Sequence, residues 1–335
     1  MTRVIVNLTI CKGIYTIKIT PMSSKDTVIN GFTFRTFEPA PDGFNPVTAE
    51  QDKLALYGIP ERPDKDKEPA LYNNWHRIFS RKLQYLEPQF AKFDRLGPRK
   101  LPDITEQPEF GTVNSGIWSG QAVGSPSGDT FNTVTGWWIV PRVFSSNTVG
   151  ECILGSWIGI DGYASSKIKQ AGDVLQAGTA SISNYALNDG SDGNGIPAYY
   201  AWVEWWPNGP ITVLNLPISG GDSIACFVVA TSDTMGSVVF INFNSNLVVP
   251  FQIVAPSGHS LVGNSAEWII ERQAAFNFPP VYVPAPFIAC YATTKKGITI
   301  QSSSGDTLNI KVGSSVLAKT VKLNNESFVI FQPES

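Results

Sequence analysis

From about residue 110 onward the chain is a succession of short apolar runs closed by turn residues. TVTGWWIVP, SWIGIDG, AYYAWVEWWP, GDSIACFVVA, SVVFINFN, AEWIIERQ and GITIQSSS follow one another, each bounded by Gly, Pro, Asn or Asp, with no helix-period stretch between them. Strands so closely spaced must pair with antiparallel neighbours, because a parallel crossover needs a dozen or more residues, usually helical. The reading is therefore all-β: an antiparallel β-sandwich of two packed sheets. The 29 glycines and 24 prolines, with only 16% charged residues, agree with a turn-rich sheet protein. Two similar pieces, KQAG at 169–172 and LQAG at 175–178, are too short to count as a repeat.

The chain changes character near residue 105. Residues 1–106 hold 16 Lys/Arg against 13 Asp/Glu, whereas residues 107–335 hold 9 against 15. We therefore expect a mixed, partly helical extension over 1–105 and a β-sandwich body over 106–335. In VTAEQDKLALYGIP, Thr48 and Gln51 stand at capping-box spacing, with Gly58 and Pro60 ending the helix. In ALYNNWHRIFSRKL, Leu71, Trp75, Ile78 and Phe79 form one helical stripe, which needs a partner surface. The apolar start MTRVIVNLTICKGIYTIKIT is interrupted by Asn7 and Lys12, and no small-residue cleavage site follows it, so it makes a poor signal peptide. Met22 is an alternative start.

Several function classes are excluded early. A net charge of -3 suggests no nucleic-acid partner or polybasic membrane contact. No apolar stretch is long enough to span a bilayer. Cys11, Cys152, Cys226 and Cys290 form no CxxC pair, so no metal is expected, and no phosphate or dinucleotide loop calls for a cofactor. Cys226 and Cys290 read as small buried thiols in apolar strands, with a disulfide left open. Of the two histidines, His76 lies in the extension and His259 in PSGHSL, and no GxSxG motif supplies a nucleophilic serine. His259 reads as a loop residue.

Carboxylates and amides remain. Alternation in AYYAWVEWWP puts Trp202, Glu204 and Trp206 on one face, either a cleft floor or a solvated outer face. In AEWIIE, Glu267 and Glu271 share a face opposite Trp268 and Ile270. Four residues along a strand is about 13 Å, too far for these two acids to flank one glycosidic bond. A pair across strands, such as Glu204 with Glu267, stays open.

Taken in order, TVTGWWIVP, SWIGIDG, LQAG, YAWVEWWP, GDSI and AEWIIE resemble the glutamic peptidases, or eqolisins. NSGIWSG at 114–120 resembles the start of the mature family domain, and FEPAPDGFNPVTAEQDKLALYGIPERPD the N-terminal region of longer relatives. The resemblance implies a lectin-like sandwich whose catalytic pair is Gln176, of LQAG, and Glu267, of AEW. Gln170, in KQAG, is the competing glutamine. LNDGSDGNGIP, at 187–197, then reads as an inserted loop. Glu267 is expected to act as a general base that stays ionised in mild acid, with Gln176 donating to the developing oxyanion. Trp157, Asp161 and Glu204 match positions that line or support the cleft, and Glu271 matches a second, supporting acid. An acid-active, secreted and monomeric endopeptidase acting on protein or peptide substrate is implied. The basic extension would be a pro-segment cut in ERPDKDKEP or GPRKLPDITEQPE, or else a permanent accessory. Competing readings are a carbohydrate-binding sandwich, for which eight of nine tryptophans lie in the body, a glycosidase using Glu204 and Glu267, and an inactive eqolisin-like protein.

Overall fold

The structure is a computed structural model. It describes residues 25–93, 111–144, 151–164, 168, 171–184, 196–273 and 279–333, and the backbone course of strands at 4–11, 14–21 and 104–106. Gln170, GPRKLPDITEQPE apart from the backbone of Ile104–Glu106, and most of the 187–197 insertion lie outside the described residues.

The predicted runs form strands, and their hydrogen bonding builds one large, nearly closed antiparallel ladder. One half carries, side by side, Trp118–Gly124, Ser265–Arg272, Cys152–Ile160, Val174–Ser183, Ala198–Trp206 and Asn208–Val213. The other half runs Ala285–Thr294, Phe131–Ile139, Ser223–Ser232, Met235–Asn242 and Leu247–Val254. Where the sequence suggests two separate sheets, the strands Asp306–Val312, Ser315–Asn324 and Ser327–Phe331 pair continuously from the Trp118 strand to the Ala285 strand. These C-terminal strands alternate less clearly in sequence, which hides the bridging.

The alternation sorts side chains into two apolar clusters on either side of the first half. Leu154, Ile158, Leu175, Val203, Trp205, Trp268 and Ile270 point toward the second half and join its Val228, Phe240 and Phe251. Indole nitrogens cross between the halves. Trp268 Nε1 donates to the Thr135 carbonyl at 2.8 Å, and Trp138 Nε1 to Thr179 Oγ1 at 2.9 Å. The opposite face of the first half carries Trp118, Trp157, Ala180, Trp202 and Ile269. That opposite face holds the carboxylates and the amide.

The extension has two helices, Gln51–Leu56 and Pro69–Phe79. The capping box is not formed: Glu50 is the N-cap and makes no side-chain cap bond. Gln51 is instead engaged with Arg62, donating from Nε2 to its carbonyl at 2.9 Å and accepting its amide at 3.1 Å. The predicted stripe Leu71, Trp75, Ile78 and Phe79 is buried. Its Trp75, Ile78 and Phe79, with Leu54 of the first helix, pack with Phe227, Val239, Ile241 and Val248 on the outer face of the second half. Extension strands also join the ladder. Phe32–Thr36 pairs with Leu247–Val254, and Phe90–Lys92 with Asn208–Val213. Among the described residues Cys152, Cys226 and Cys290 are buried, Cys226 and Cys290 as free thiols, and no helix is long and apolar enough to cross a membrane.

Candidate active site

Strand register assembles the site. Glu267 stands opposite Gly159, Gly159 opposite Gln176, and Gln176 opposite Glu204. Opposed residues of an antiparallel ladder share a face, so these four form a row across four adjacent strands. Glu267 and Gln176 are two strand spacings apart, about 10 Å between Cα atoms. The residue between them has no side chain. A gap with a carboxyl on one wall and a carboxamide on the other is therefore written into the pleat.

Gly159 was not singled out from the sequence, although it lies inside SWIGIDG; only register shows that it separates the pair. A Cβ there would come within 3.1 Å of Gln176 Cβ, the Leu175 carbonyl and the Trp157 ring. Gly159→Ala is expected to fold, with a modest loss in melting temperature. Gly178 has a packing role instead: a Cβ there would come within 2.2 Å of the Ser156 carbonyl and 2.5 Å of Trp157 Cβ, so only glycine allows the neighbouring strand this close.

The supporting contacts differ from residue to residue. Gln176, which is 3% exposed, donates from Nε2 to Glu204 Oε2 at 2.7 Å, while its Oε1 has no hydrogen-bond partner among the described residues. Because a carboxylate only accepts, Glu204 fixes which end of the amide is the nitrogen. Trp157 is fully buried, donates from Nε1 to Glu271 Oε2 at 3.0 Å and meets Trp118 edge-on at 4.9 Å. Glu271 thus holds an indole. Trp202 is buried beside Gly178, and Trp206 is half-buried at the strand end. Asp161 sits two residues past Gly159 with φ +72° and accepts the amides of Val262, Gly263 and Asn264 at 2.7–2.9 Å. It shapes the loop entering the Glu267 strand. Among the described residues no cluster of His, Cys, Asp and Glu could hold a metal.

Glu267 is fully buried, and neither carboxyl oxygen has a hydrogen bond of ordinary geometry with the described residues. Burial drives its pKa well above the usual glutamate value. The nearby Ser265 hydroxyl favours the charged form, the charge of Asp161 opposes it, and the Tyr163 amide favours it again. Burial thus favours the neutral carboxyl, whereas the sequence reading expects a base that stays ionised in mild acid. Burial likewise raises Asp161, against the pull of its backbone hydrogen bonds.

The sign for stability follows. A carboxyl whose pKa is raised on folding binds its proton more tightly in the folded state. Its stabilising contribution is complete below the unfolded value and is lost as pH rises through the folded value. Melting temperature should rise on acidification from pH 7 toward 4. In Glu267→Gln, a neutral isostere, that dependence should flatten and the value at pH 7 should increase. Scanning calorimetry across pH checks both.

The fold is mostly β and carries a carboxyl and a carboxamide on either side of a glycine gap. Residues 116–332 match the Peptidase A4 family, and the chain belongs to it. It is 28% identical to aspergillopepsin-2 of Aspergillus niger over 233 residues, covering 63% of this chain and 76% of that protein. It is 34% identical to scytalidopepsin B of Scytalidium lignicola over 144 residues, 43% of this chain and 48% of that protein, so that match spans about half of the relative. The structure of scytalido-glutamic peptidase with a transition state analog inhibitor superposes with a TM-score of 0.51 at 23% identity. It covers 65% of this chain and 98% of that one, which speaks for the fold.

Proposed function

We propose that this chain is an endopeptidase that hydrolyses peptide bonds in acid with Glu267 and Gln176 as its catalytic pair. The observation that carries the reading is the Glu267–Gly159–Gln176–Glu204 row on one buried face. A neutral carboxyl offers both a donor and an acceptor. Glu267 gives its proton to the scissile carbonyl oxygen while its other oxygen takes one from the attacking water. One hydrogen of Gln176 Nε2 is committed to Glu204. The second donates to the carbonyl oxygen as it gains electron density and its proton, and Oε1 accepts from the water. The resulting gem-diol collapses as Glu267 protonates the leaving nitrogen and recovers a proton from a hydroxyl, restoring the starting acid. Low pH keeps this carboxyl in its working state.

The body over 106–335, a flattened ladder read as a two-layer sandwich, supplies this chemistry to a peptide or protein substrate. The 1–105 extension stays with it as structure. Secretion and a monomeric state accompany the reading. A glycosidase is less well supported, because Glu204 and Glu267 stand three strands apart with Gln176 bonded to the former. The test is hydrolysis of a denatured protein between pH 2 and 7, with and without pepstatin, which blocks paired-aspartate peptidases. Pepstatin-insensitive cleavage that declines as pH climbs above the ordinary glutamate range is expected. A folded protein that cleaves nothing anywhere in that range would end the peptidase reading.

A further inference from the structure

The loop Pro256–Asn264 leads directly into the Glu267 strand, and its amides are taken up mainly by two carboxylates from other strands. At its far end Asp161 binds the amides of Val262, Gly263 and Asn264. At its near end Asp173 accepts the Ser260 amide at 2.8 Å through Oδ2, while its Oδ1 lies 2.5 Å from His259 Nδ1. Between them the Leu261 amide bonds the Asp233 carbonyl at 2.7 Å. Gly263 has φ +76°, and its carbonyl accepts the Phe131 amide at 2.7 Å; a Cβ there would come within 2.5 Å of the Phe131 carbonyl.

The placement of the two aspartates matters. Asp161 lies two residues after Gly159, Asp173 three before Gln176, and Asn264 three before Glu267. The clasp thus joins the ends of the three strands that carry the carboxyl, the gap and the amide, about 7–10 Å along the strands from the row. The side chain of Asp173 is 9% exposed and that of His259 28%, so the near clasp is shielded without being sealed. A His–Asp pair is also the base and orienter of a serine hydrolase, but among the described residues no serine hydroxyl bonds the other ring nitrogen.

We propose that His259 and Asp173 form a positioning pair that sets the register of the Glu267 strand against the Gln176 strand, resting on the peptidase reading above. Neither touches the reacting atoms. Losing either releases the near end of the loop, and the acid and the amide drift by a fraction of an ångström to an ångström. That costs rate rather than substrate affinity.

The experiment compares wild type, His259→Ala, His259→Asn, Asp173→Ala and the double alanine variant. The readouts are kcat and KM on a quenched-fluorescent peptide, and amide hydrogen exchange at Ser260–Asn264. The alanine variants should lose about tenfold to a hundredfold in kcat with KM within about twofold. The double variant should be no worse than the worse single one, because the two residues act as one unit. Asparagine at 259 keeps a neutral donor near the Nδ1 position and should recover most of the rate. Exchange at Val262–Asn264 should accelerate at least about tenfold in the alanine variants, a result that holds whether or not the protein cleaves peptides. Unchanged exchange overturns the proposal independently of activity. A rise in KM alone, additive losses in the double variant, or a lower melting temperature with unchanged kcat also overturns it.

Discussion

Glu267→Gln is expected to leave a folded protein, more stable at neutral pH, whose kcat/KM is lower by about a thousandfold or more. The substitution keeps the shape of the side chain and removes only its capacity to give and take a proton. Full burial, with no hydrogen bond of ordinary geometry from the described residues, makes the native carboxyl costly to ionise. Its neutral amide replacement sits in the same pocket at no such cost, so loss of activity here cannot be assigned to unfolding. Gln176→Ala removes an oxyanion donor and should cost about a hundredfold to a thousandfold. The two losses should not multiply, since either change alone dismantles the same unit. Glu204→Gln adds a separate check. Two facing amides can pair in either sense, so the orientation that Glu204 imposes on Gln176 is lost, and an intermediate fall of about tenfold is expected. Single-turnover kinetics on wild type, the three single variants and the Glu267→Gln/Gln176→Ala double variant, paired with melting curves, separates these effects. Equal activity in wild type and Glu267→Gln would remove Glu267 from the mechanism.

How much of this was legible beforehand depends on which link of the argument is asked. The strands of the body announce themselves because each is short, apolar and bounded by Gly, Pro, Asn or Asp. The faces of AYYAWVEWWP and AEWIIERQ follow from a period of two, and Glu204, Glu267 and Trp202 lie on the face that alternation assigns them. Register is a different matter. Nothing local in SWIGIDG says that Gly159, rather than Ile158, will stand between Gln176 and Glu267, because pairing is decided by strands far apart in sequence. The direction of the Glu267 pKa is hidden for the same reason. Desolvation of Glu267 comes from everything packed over it, while the sequence supplies only its neighbours. His259 looked like an ordinary loop residue because Asp173 is 86 positions away. The capping box at Thr48 failed at shorter range, where Gln51 found better partners in the backbone of Arg62.

The second large effect concerns the extension. A chain beginning at Asn114 is expected to be poorly folded and inactive, not unmasked and more active. The helices bury Leu54, Trp75, Ile78 and Phe79 against a sheet face carrying Phe227, Val239, Ile241 and Val248, and Leu71 against Ala289 and Tyr291. At about 1.5–3 kcal/mol for each large apolar side chain taken from water, the five helix residues alone represent on the order of 10 kcal/mol as an upper estimate. That is comparable with the whole stability of an ordinary domain. Deletion would also strip Phe32–Thr36 from the Leu247 strand and Phe90–Lys92 from the Asn208 strand, leaving bare edges beside exposed apolar surface. A pro-segment that merely covers a cleft leaves a self-sufficient enzyme when removed; this extension completes the sheet it is attached to. Limited proteolysis distinguishes the two arrangements without relying on refolding. If protease cuts the intact protein between residues 94 and 110, the two pieces should co-elute under native conditions and keep their activity, separating only in denaturant. Fragments that part company under native conditions, with a fully active body, would show instead that the extension is a removable mask.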